Sequence, residues 1–447
     1  MKSALTVGGF DPDGGAGINL DIKVFESLGV NALSAIASIT VQSTLGVKRV
    51  IPLSNEILKE EIEEILSDVN VKTVKAGVLY TKDNFCTLAE IAKEWNLDVI
   101  VDPVMNPKRG VKLISDEGIE GLRECLLSKS YLTTPNALEA SYLSGIEVKD
   151  INDAEKAAKE ILTKFKVKNV LVKGGHIEGD KVTDLLVSEG KVYKFIHGRL
   201  SLEVHGSGDT LSASITAEIA KGSELVDAVE KAITFTETSL KDSRKVGRGY
   251  SISDPIKSIL REKEKYRVIM DMITKSFEIE AMGKQLQKVI PEVQSNIAFS
   301  LPIDYVNGFE EIAVFPGRIC KYFDSVKING PPIFGKPTHT ARLLLSSIKS
   351  GGNYRVVMNI RYDEYFIKRL KETGIDVVEI DRTKEPKDFS EREGKSMEWV
   401  IREATSVNNG KVPQAIADRG TIGKEAMIRI FAHSLEELMS ILKVLTD

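Results

Sequence analysis

Cysteine is scarce. Cys86, Cys125 and Cys320 are the only three in 447 residues, widely spaced, with no Cys-x-x-Cys pair. That spacing indicates neither a zinc site nor a disulfide framework. Histidine and tryptophan are sparse too, at five and two residues. No apolar run is long enough to span a bilayer. The opening Met1-Lys-Ser-Ala-Leu-Thr-Val7 meets glycines before any signal-peptide core can form. A cytoplasmic chain without a membrane partner is therefore expected. Neither sign of charge dominates: 61 Lys and Arg against 65 Asp and Glu leave a net charge of −4. That balance argues against nucleic acid or another polyanion as a general partner. With 42% hydrophobic and 28% charged residues the composition is that of a globular protein. Its length calls for two or three domains. Much Lys, Glu and Ile beside little His is a thermophile-like usage.

What is present centres on His205-Gly-Ser-Gly-Asp209. Leu211, Ile215 and Ile219 follow at helical spacing, and Gly222 supplies a stop. A glycine-rich turn thus feeds a helix N-terminus, where free N–H groups and the helix dipole favour an anion. Asp209, in the first turn, is placed to act as a base beside that anion. Such turns are also common as plain helix starts, so the reading depends on the remaining loops.

Upstream, apolar strands alternate with amphipathic helices. Strands are expected near Ala4–Val7, Ala35–Val41, Val74–Leu79, Asp98–Val101, Tyr131–Thr133 and Asn169–Val172. Helices are expected from Ile18 to Leu28, Asn84 to Trp95, Gly118 to Leu127, Ala137 to Leu143 and Asp153 to Phe165. The alternation predicts an α/β fold with a mainly parallel sheet and helices on both faces. Ligands bind such sheets at the C-terminal strand ends. The polar residues gather there: Gly8 to Gly17, Gln42, Asp102, Asn136 with Glu139, and Lys173-Gly-Gly-His176. Each has an ordinary use, Asn136 as an N-cap with Glu139 in the first helical turn. Five in order ahead of the Gly-rich helix start are not ordinary.

The runs Gly9-Phe-Asp-Pro-Asp-Gly-Gly-Ala-Gly-Ile-Asn-Leu-Asp21, Thr40-Val-Gln-Ser-Thr-Leu-Gly46, Asp102-Pro-Val-Met105, Thr134-Pro-Asn-Ala-Leu-Glu-Ala140, Lys173-Gly-Gly-His176 and His205-Gly-Ser-Gly-Asp209 form one signature. It resembles the ribokinase-like kinases, and among them the hydroxymethylpyrimidine (phosphomethylpyrimidine) kinases of thiamine biosynthesis. The resemblance covers residues 1–256. It implies ATP as co-substrate with Mg²⁺, and phosphorylation first of the pyrimidine hydroxymethyl group and then of the monophosphate. Gly206, Ser207 and Gly208 would form the anion hole, and Asp209 would be the catalytic base. Asn136 and Lys173 would bind the phosphates of ATP. Asp102, and Glu139 directly or through water, would serve the metal. Gly9, Asp21 and Gln42 would bind the substrate, Gln42 through an amide that offers both donor and acceptor. At Asp209 the sequence departs from the pyrimidine kinases, which usually carry cysteine there; sugar kinases of the superfamily keep an aspartate.

The kinase pattern ends near Pro255. Residues 258–276 read as a charged, solvated connecting helix. Beyond them, strands are expected at Arg355–Ile360, Val377–Ile380 and Met427–Phe431, with helices at Asp363–Lys371 and Leu435–Leu445. Polar residues again collect at strand ends: Asn359, Arg361, Asp381, Arg382, Asp418 and Arg419. Arginines beside loops for anionic substrates can bind phosphate bidentately. Gly420-Thr-Ile-Gly-Lys424 is too short for a phosphate-binding Walker loop and reads as a turn.

The runs Ile290-Pro-Glu-Val-Gln-Ser-Asn-Ile297, Phe315-Pro-Gly-Arg-Ile319, Gly330-Pro-Pro-Ile-Phe-Gly335, His339-Thr-Ala-Arg342, Met358-Asn-Ile-Arg-Tyr362, Glu391-Arg-Glu-Gly394 and Asp418-Arg-Gly-Thr-Ile-Gly-Lys-Glu-Ala-Met427 carry a second resemblance. Residues 262–447 resemble the archaeal-type thiamine-phosphate synthase domain. The implied fold is a three-layer α/β/α sandwich like that of class II aldolases. The implied reaction joins the pyrimidine diphosphate to thiazole phosphate, releasing pyrophosphate. Arg318 and His339 would be catalytic, and Asn359, Arg361 and Arg419 would bind substrate. The partners are these small molecules, and a homo-oligomer, a dimer, is expected. Two other readings exist. One keeps the kinase and makes the second half a ligand-sensing regulatory module; the missing helix-turn-helix and the presence of both Arg318 and His339 count against it. The other, a generic vitamin or sugar kinase with an inert tail, draws only on Asp209.

Overall fold

The computed structural model describes residues 1–106, 110–177, 179–200, 202–390, 394–421 and 423–447, with backbone only at 387 and 390. Of the motif runs, Glu391, Arg392, Glu393 and Ile422 lie outside the described residues. The chain divides into two compact units, Met1–Ile259 and Leu260–Asp447.

The first unit is built on nine strands: β1 (Ser3–Phe10), β2 (Asn31–Ser43), β3 (Gly46–Pro52), β4 (Thr73–Ala76), β5 (Asp98–Val101), β6 (Leu132–Thr133), β7 (Asn169–Val172), β8 (Lys181–Ser188) and β9 (Lys191–Gly198). They lie in the order β3-β2-β1-β4-β5-β6-β7-β8-β9. From β2 to β7 every pairing is parallel; β3 at one edge, and β8 with β9 at the other, are antiparallel. The predicted parallel core is thus present, with antiparallel edges that hairpin connections allow. On one face lie α2 (Asn55–Asp68), α3 (Lys82–Glu94), α4 (Asp116–Gly121), α5 (Ala137–Ser144) and α6 (Ile151–Phe165). The other face is covered by α1 (Gly17–Ser27), α7 (Ser207–Lys221) and α8 (Leu225–Lys241). The helix α2 shows the local logic. Ser54 caps it by accepting from the Ile57 amide, and Leu58, Ile62 and Leu66 make its one buried stripe. A short parallel pair, β10 (Val204–His205) with β11 (Ser251–Ile252), leads into α7.

Cys86, in α3, and Cys125, in the helical turn after α4, form a disulfide with Cα atoms 5.0 Å apart. This corrects the expectation of no disulfide. Spacing along the chain did not show it because two helical segments that pack side by side bring the pair together.

The second unit opens within α9 (Lys257–Ala281), which is followed by α10 (Gly283–Leu286). Its main sheet has β12 (Ile297–Ser300), β13 (Ile312–Val314), β16 (Ile333–Phe334), β17 (Val356–Arg361), β18 (Val377–Ile380), β19 (Ala415–Asp418) and β20 (Met427–Ala432). Their order is β16-β13-β12-β17-β20-β19-β18, all antiparallel but for β18 with β19. The strands β14 (Ile319–Tyr322) and β15 (Ser325–Ile328) form a separate hairpin. The remaining helices are α11 (His339–Lys349), α12 (Glu364–Glu372), α13 (Lys387–Ser390), α14 (Lys395–Val407) and α15 (Leu435–Thr446). Alternation along β17 sends Val356, Met358 and Ile360 to a core shared with α9, α10, α12 and α15, and Val357 to one shared with α11 and α14. The result is the expected three layers; the likeness to class II aldolases is an inference from sequence alone. The helix α9 corrects another expectation. It is not merely solvated: Val268, Met272 and Ile279 bury against this sheet.

The Cys86–Cys125 bond spans a sequence separation of 39 residues. In the chain-entropy account, closing such a loop contributes about 4 kcal/mol. Cys86→Ser should lower the denaturation midpoint of the first unit accordingly. An unchanged midpoint in urea titrations would show that the bond contributes nothing.

Candidate functional site

In the first unit the polar strand ends converge. Gly206, the N-cap of α7, has φ +89° and leaves no room for a side chain, since a Cβ there would lie 2.1 Å from the Gly15 carbonyl oxygen. Glycine is therefore required for the turn to meet the loop after β1. Gly17 meets Gly9 in the same way, its Cβ position 2.2 Å from the Gly9 carbonyl oxygen. That loop is tightened by Asp11, which accepts from the amides of Asp13, Gly15 and Ala16. Ser207 begins α7, and a Cβ on Gly208 would stand 3.3 Å from both Asp102 Oδ2 and Lys173 Nζ. The turn, the metal candidate and the phosphate candidate are thus neighbours.

The centre is a residue that sequence reading passed over. Lys75 lies in β4 with its side chain 0% exposed. Its Nζ donates to Asp21 Oδ1 at 2.5 Å and to Asp209 Oδ1 at 2.7 Å. Thr6 Oγ1 completes the set by donating to Asp21 Oδ2 at 2.6 Å. Burial pushes Asp209 up, but the Lys75 ammonium, with His205 and Lys173, outweighs it and holds the carboxyl below the usual range. For Asp21 burial wins: despite Lys75 it is pushed up to about 7, with Asp209 adding to the rise. The only signal for Lys75 in the sequence was a charged residue inside the apolar run Thr73-Val-Lys-Ala76.

A second buried pair stands beside the first. Lys173 Nζ donates to Asp102 Oδ1 at 2.7 Å, and Thr134 and Ser212 hydroxyls donate to the same carboxylate. Burial would lower the Lys173 ammonium, but Asp102 and Glu139 hold it above its ordinary value. Asn136 and Glu139 form a reciprocal capping box on α5, as expected from their spacing. Burial raises Glu139 to about 7 with Asp102 reinforcing and Lys173 opposing the rise. Gln42 Nε2 lies 3.1 Å from His205 Nε2, at the edge of the same turn. The expected residues of this unit are therefore neighbours around the start of α7 and the adjoining strand ends.

In the second unit Arg318 has a left-handed backbone, φ +62°, and its Nη1 donates to the Val293 carbonyl at 2.7 Å. Asn359 fixes the adjoining loop: its Nδ2 donates to the Gln294 carbonyl, and its Oδ1 accepts from the Asn296 amide. Asn359 pairs across the sheet with Arg429, whose guanidinium binds Asp418. His339 starts α11. Crowding by the protein lowers its basicity, and Arg318, Arg342, Arg429 and Arg382 lower it further. Arg318 and His339 thus share one cationic neighbourhood. Arg361 and Arg419 are engaged elsewhere, with Asp363 and Glu364 respectively. Arg342, Arg382, Lys424 and Arg429 join the neighbourhood from helix starts and strand ends, and their gathering needed the tertiary fold to be seen.

Comparison with known proteins follows the two units. Residues 11–254 match the phosphomethylpyrimidine kinase family, and residues 275–444 match the family of the thiamine-phosphate synthase ThiN. The bifunctional thiamine biosynthesis protein ThiDN of Methanocaldococcus jannaschii is 33% identical over 99% of this chain and 97% of its own. The chain belongs to the bifunctional ThiDN family. The first unit of this chain is also similar to the hydroxymethylpyrimidine/phosphomethylpyrimidine kinase of Bacillus subtilis, 38% identical over 56% of this chain and 93% of that one. A solved ADP complex of Bacillus subtilis pyridoxal kinase superposes with a TM-score of 0.54 at 31% identity, covering 57% of this chain and 98% of that one. The pyridoxal kinase of Staphylococcus aureus bound to pyridoxal gives 0.53 at 30% identity over 57% of this chain and 93% of that one. The first unit therefore has the ribokinase-like kinase fold.

Two measurements test this electrostatic picture. Lys75→Met leaves two carboxylates buried without their cation and should cost about 3–5 kcal/mol of stability. It should also raise the Asp209 pKa, moving the acid limb of the kinase pH–rate profile to higher pH; a stationary limb would separate Asp209 from that profile. In the second unit, the His339 ring should titrate by NMR below the ordinary histidine value. Adding pyrophosphate should raise that value, because a nearby anion favours the charged ring. A normal value unmoved by pyrophosphate would dissociate His339 from the cationic cluster.

Proposed function

We propose that this protein carries out consecutive steps of thiamine biosynthesis. Its first unit phosphorylates hydroxymethylpyrimidine and then the monophosphate with ATP. Its second unit condenses the diphosphate with thiazole phosphate, giving thiamine phosphate and pyrophosphate. The observation that carries the reading is the full-length match, supported by the glycine-capped start of α7 in the first unit and the arginines around His339 in the second.

In the kinase, the turn at Gly206 to Gly208 presents the amides of the start of α7 to the transferring phosphoryl group. Catalysis of this transfer rests on positioning and charge neutralisation more than on covalent help. Asp209 accepts the hydroxyl proton. Its side chain accepts one hydrogen bond among the described residues, from Lys75 to Oδ1, and Oδ2 is the oxygen that would take the proton. The Asp21–Lys75–Asp209 linkage fixes that orientation. Lys173 binds nucleotide phosphate, with Asn136 shaping the adjoining loop, and Gln42 holds the aminopyrimidine edge once it turns from His205. Hard oxygen donors suit Mg²⁺, which commonly takes one or two carboxylates together with substrate phosphates. Asp102 and Glu139 fit that role: they are close enough for Asp102 to raise the Glu139 pKa, and both lie beside Lys173. Bound there, Mg²⁺ would neutralise phosphate charge.

In the synthase, the bond from the pyrimidine methylene to pyrophosphate breaks as the thiazole nitrogen attacks. Negative charge grows on the leaving oxygen. Arg318 and His339 donate to it, the imidazole as a neutral N–H donor.

The deciding assay supplies purified protein with ATP, Mg²⁺, hydroxymethylpyrimidine and thiazole phosphate and measures thiamine phosphate. Asp209→Asn should slow the first phosphorylation by roughly 10²-fold or more. Gln42→Leu should raise the KM for the pyrimidine and leave that for ATP unchanged. Arg318→Ala or His339→Ala should let the pyrimidine diphosphate accumulate, each lost donor costing roughly 3–4 kcal/mol of barrier. Parallel loss of kinase activity in the last two variants, or no thiamine phosphate from the wild type, would defeat the reading.

A further inference from the structure

We infer that the N-terminus of α14, with Arg382, Ser396 and Lys424, is a binding site for a phosphoryl group of a synthase substrate. The inference rests on the synthase reading for which substrate is bound, but not for the anion site itself. Three observations converge on it. The helix α14 has thirteen residues and begins at Gly394, which has φ +88° and no side chain to cap the first amides. Such an end attracts anions. Arg382 is held against this end: its Nη2 donates to Ser396 Oγ at 2.8 Å, and Ser396 lies in the first turn. Arg382 is 4% exposed, yet its Nε and Nη1 have no hydrogen-bond partner among the described residues. A buried guanidinium with two unused N–H groups is costly unless something else engages them.

The local charge points the same way. Arg382 Nη2 pairs with Glu385 at 3.0 Å, and Lys424 Nζ reaches the same carboxylate at 2.7 Å and Ser396 Oγ at 3.2 Å. One carboxylate thus serves two cations. Arg429 is balanced by Asp418, while burial, and then the surrounding guanidiniums, hold His339 toward its neutral form. The cluster therefore keeps an excess positive charge. The Lys424 side chain, 35% exposed, opens it to solvent, and the face of Trp399, with its centroid 5.7 Å from the Arg382 guanidinium carbon, braces it. A planar guanidinium with N–H groups that have no partner among the described residues, beside a helix start without a side-chain cap, matches the oxygens of a phosphoryl group. Arg382 is within electrostatic reach of His339, so on the synthase reading the bound group is placed with the reacting substrates.

Two substrates carry phosphoryl groups, the pyrimidine diphosphate and thiazole phosphate, and the test separates them. Calorimetric titration of the full-length protein with inorganic pyrophosphate, and separately with thiazole phosphate, is compared for wild type, Arg382→Met, Ser396→Ala and Lys424→Gln. Synthase kinetics are measured on the same samples, with kinase activity as the control for intact protein. Arg382→Met should weaken one probe about 10- to 100-fold and raise the KM of the matching substrate by a similar factor. Lys424→Gln should do so more weakly. Weakening of pyrophosphate assigns the site to the diphosphate; weakening of thiazole phosphate assigns it to the monophosphate. If Arg382→Met does not fold, the other two variants decide by the same readouts. Unchanged affinity for both probes in the folded variants, or a fall in kcat with both KM values unchanged, would overturn the inference. A wild type that makes no thiamine phosphate would defeat the synthase reading instead, and the pyrophosphate titration would still judge the anion site.

Discussion

One buried ammonium orders the kinase centre. Lys75 comes from β4 and bonds a carboxylate on α1 and another at the start of α7. Two carboxylates and one ammonium buried together are tolerable only if each charge has a partner, because an uncompensated buried ion is far more costly than a hydrogen bond is favourable. The three elements are consequently held in one relation. Since Asp209 is in the first turn of α7, that relation also fixes where the turn's amides point. The glycines act on the same geometry from the backbone side, with Gly206 meeting Gly15 and Gly17 meeting Gly9 at distances that no Cβ permits. Side-chain charge and backbone contact therefore place the anion-binding turn from opposite directions.

The two units reach a similar solution from different sheets. In the mainly parallel sheet, strand ends converge without special provision, and Lys75, Asp102 and Lys173 arrive from β4 and from the loops after β5 and β7. In the largely antiparallel sheet, alternate strands run opposite ways, so the cationic residues come from a mixture of places. Arg429 lies near the start of β20, Asp418 ends β19, Arg382 follows β18, and His339 begins α11. In each unit a helix N-terminus supplies directed N–H groups while buried cations supply charge. Acidic partners orient those cations: Asp102 for Lys173, Glu385 for Arg382 and Lys424, and Asp418 for Arg429. Fixed donors of this kind need not reorganise when charge develops on a substrate.

Much of this was legible along the chain because glycine, capping and strand-end patterns are local. The α7 turn, the Asn136–Glu139 capping box and the alternation of β4 to β7 with helices could be read from neighbouring residues. The interactions that remained hidden are long-range. Lys75 looks like a polar interruption of a strand until Asp21 and Asp209 are brought to it from 54 residues before and 134 after. The Cys86–Cys125 bond requires two helical segments to pack, and α9 appeared solvated because its three buried positions are spread among charged ones. Arg382 was visible as a strand-end residue, but its burial and unused N–H groups exist only once α14 begins beside it. The edge strands β8 and β9 also pass unnoticed when only alternation with helices is sought.

Aspartate at position 209, where the pyrimidine kinases usually carry cysteine, changes what the neighbouring ammonium does. A thiol needs help to lose its proton at neutral pH. A carboxylate is already ionised, and Lys75 keeps it so by holding it below the usual range. Such a carboxylate is a weak acceptor in the ground state. That is compatible with phosphoryl transfer through a loose transition state, in which little bond formation to the attacking oxygen is required early and positioning dominates. The proton becomes transferable as the hydroxyl oxygen bonds to phosphorus and grows acidic. Asp21, pushed up by burial toward neutrality while sharing the same ammonium, means the linked carboxylates respond to one another's charge rather than as isolated groups. Were Asp209 to take the proton, Lys75 would remain paired with Asp21, and no charge would be left buried alone.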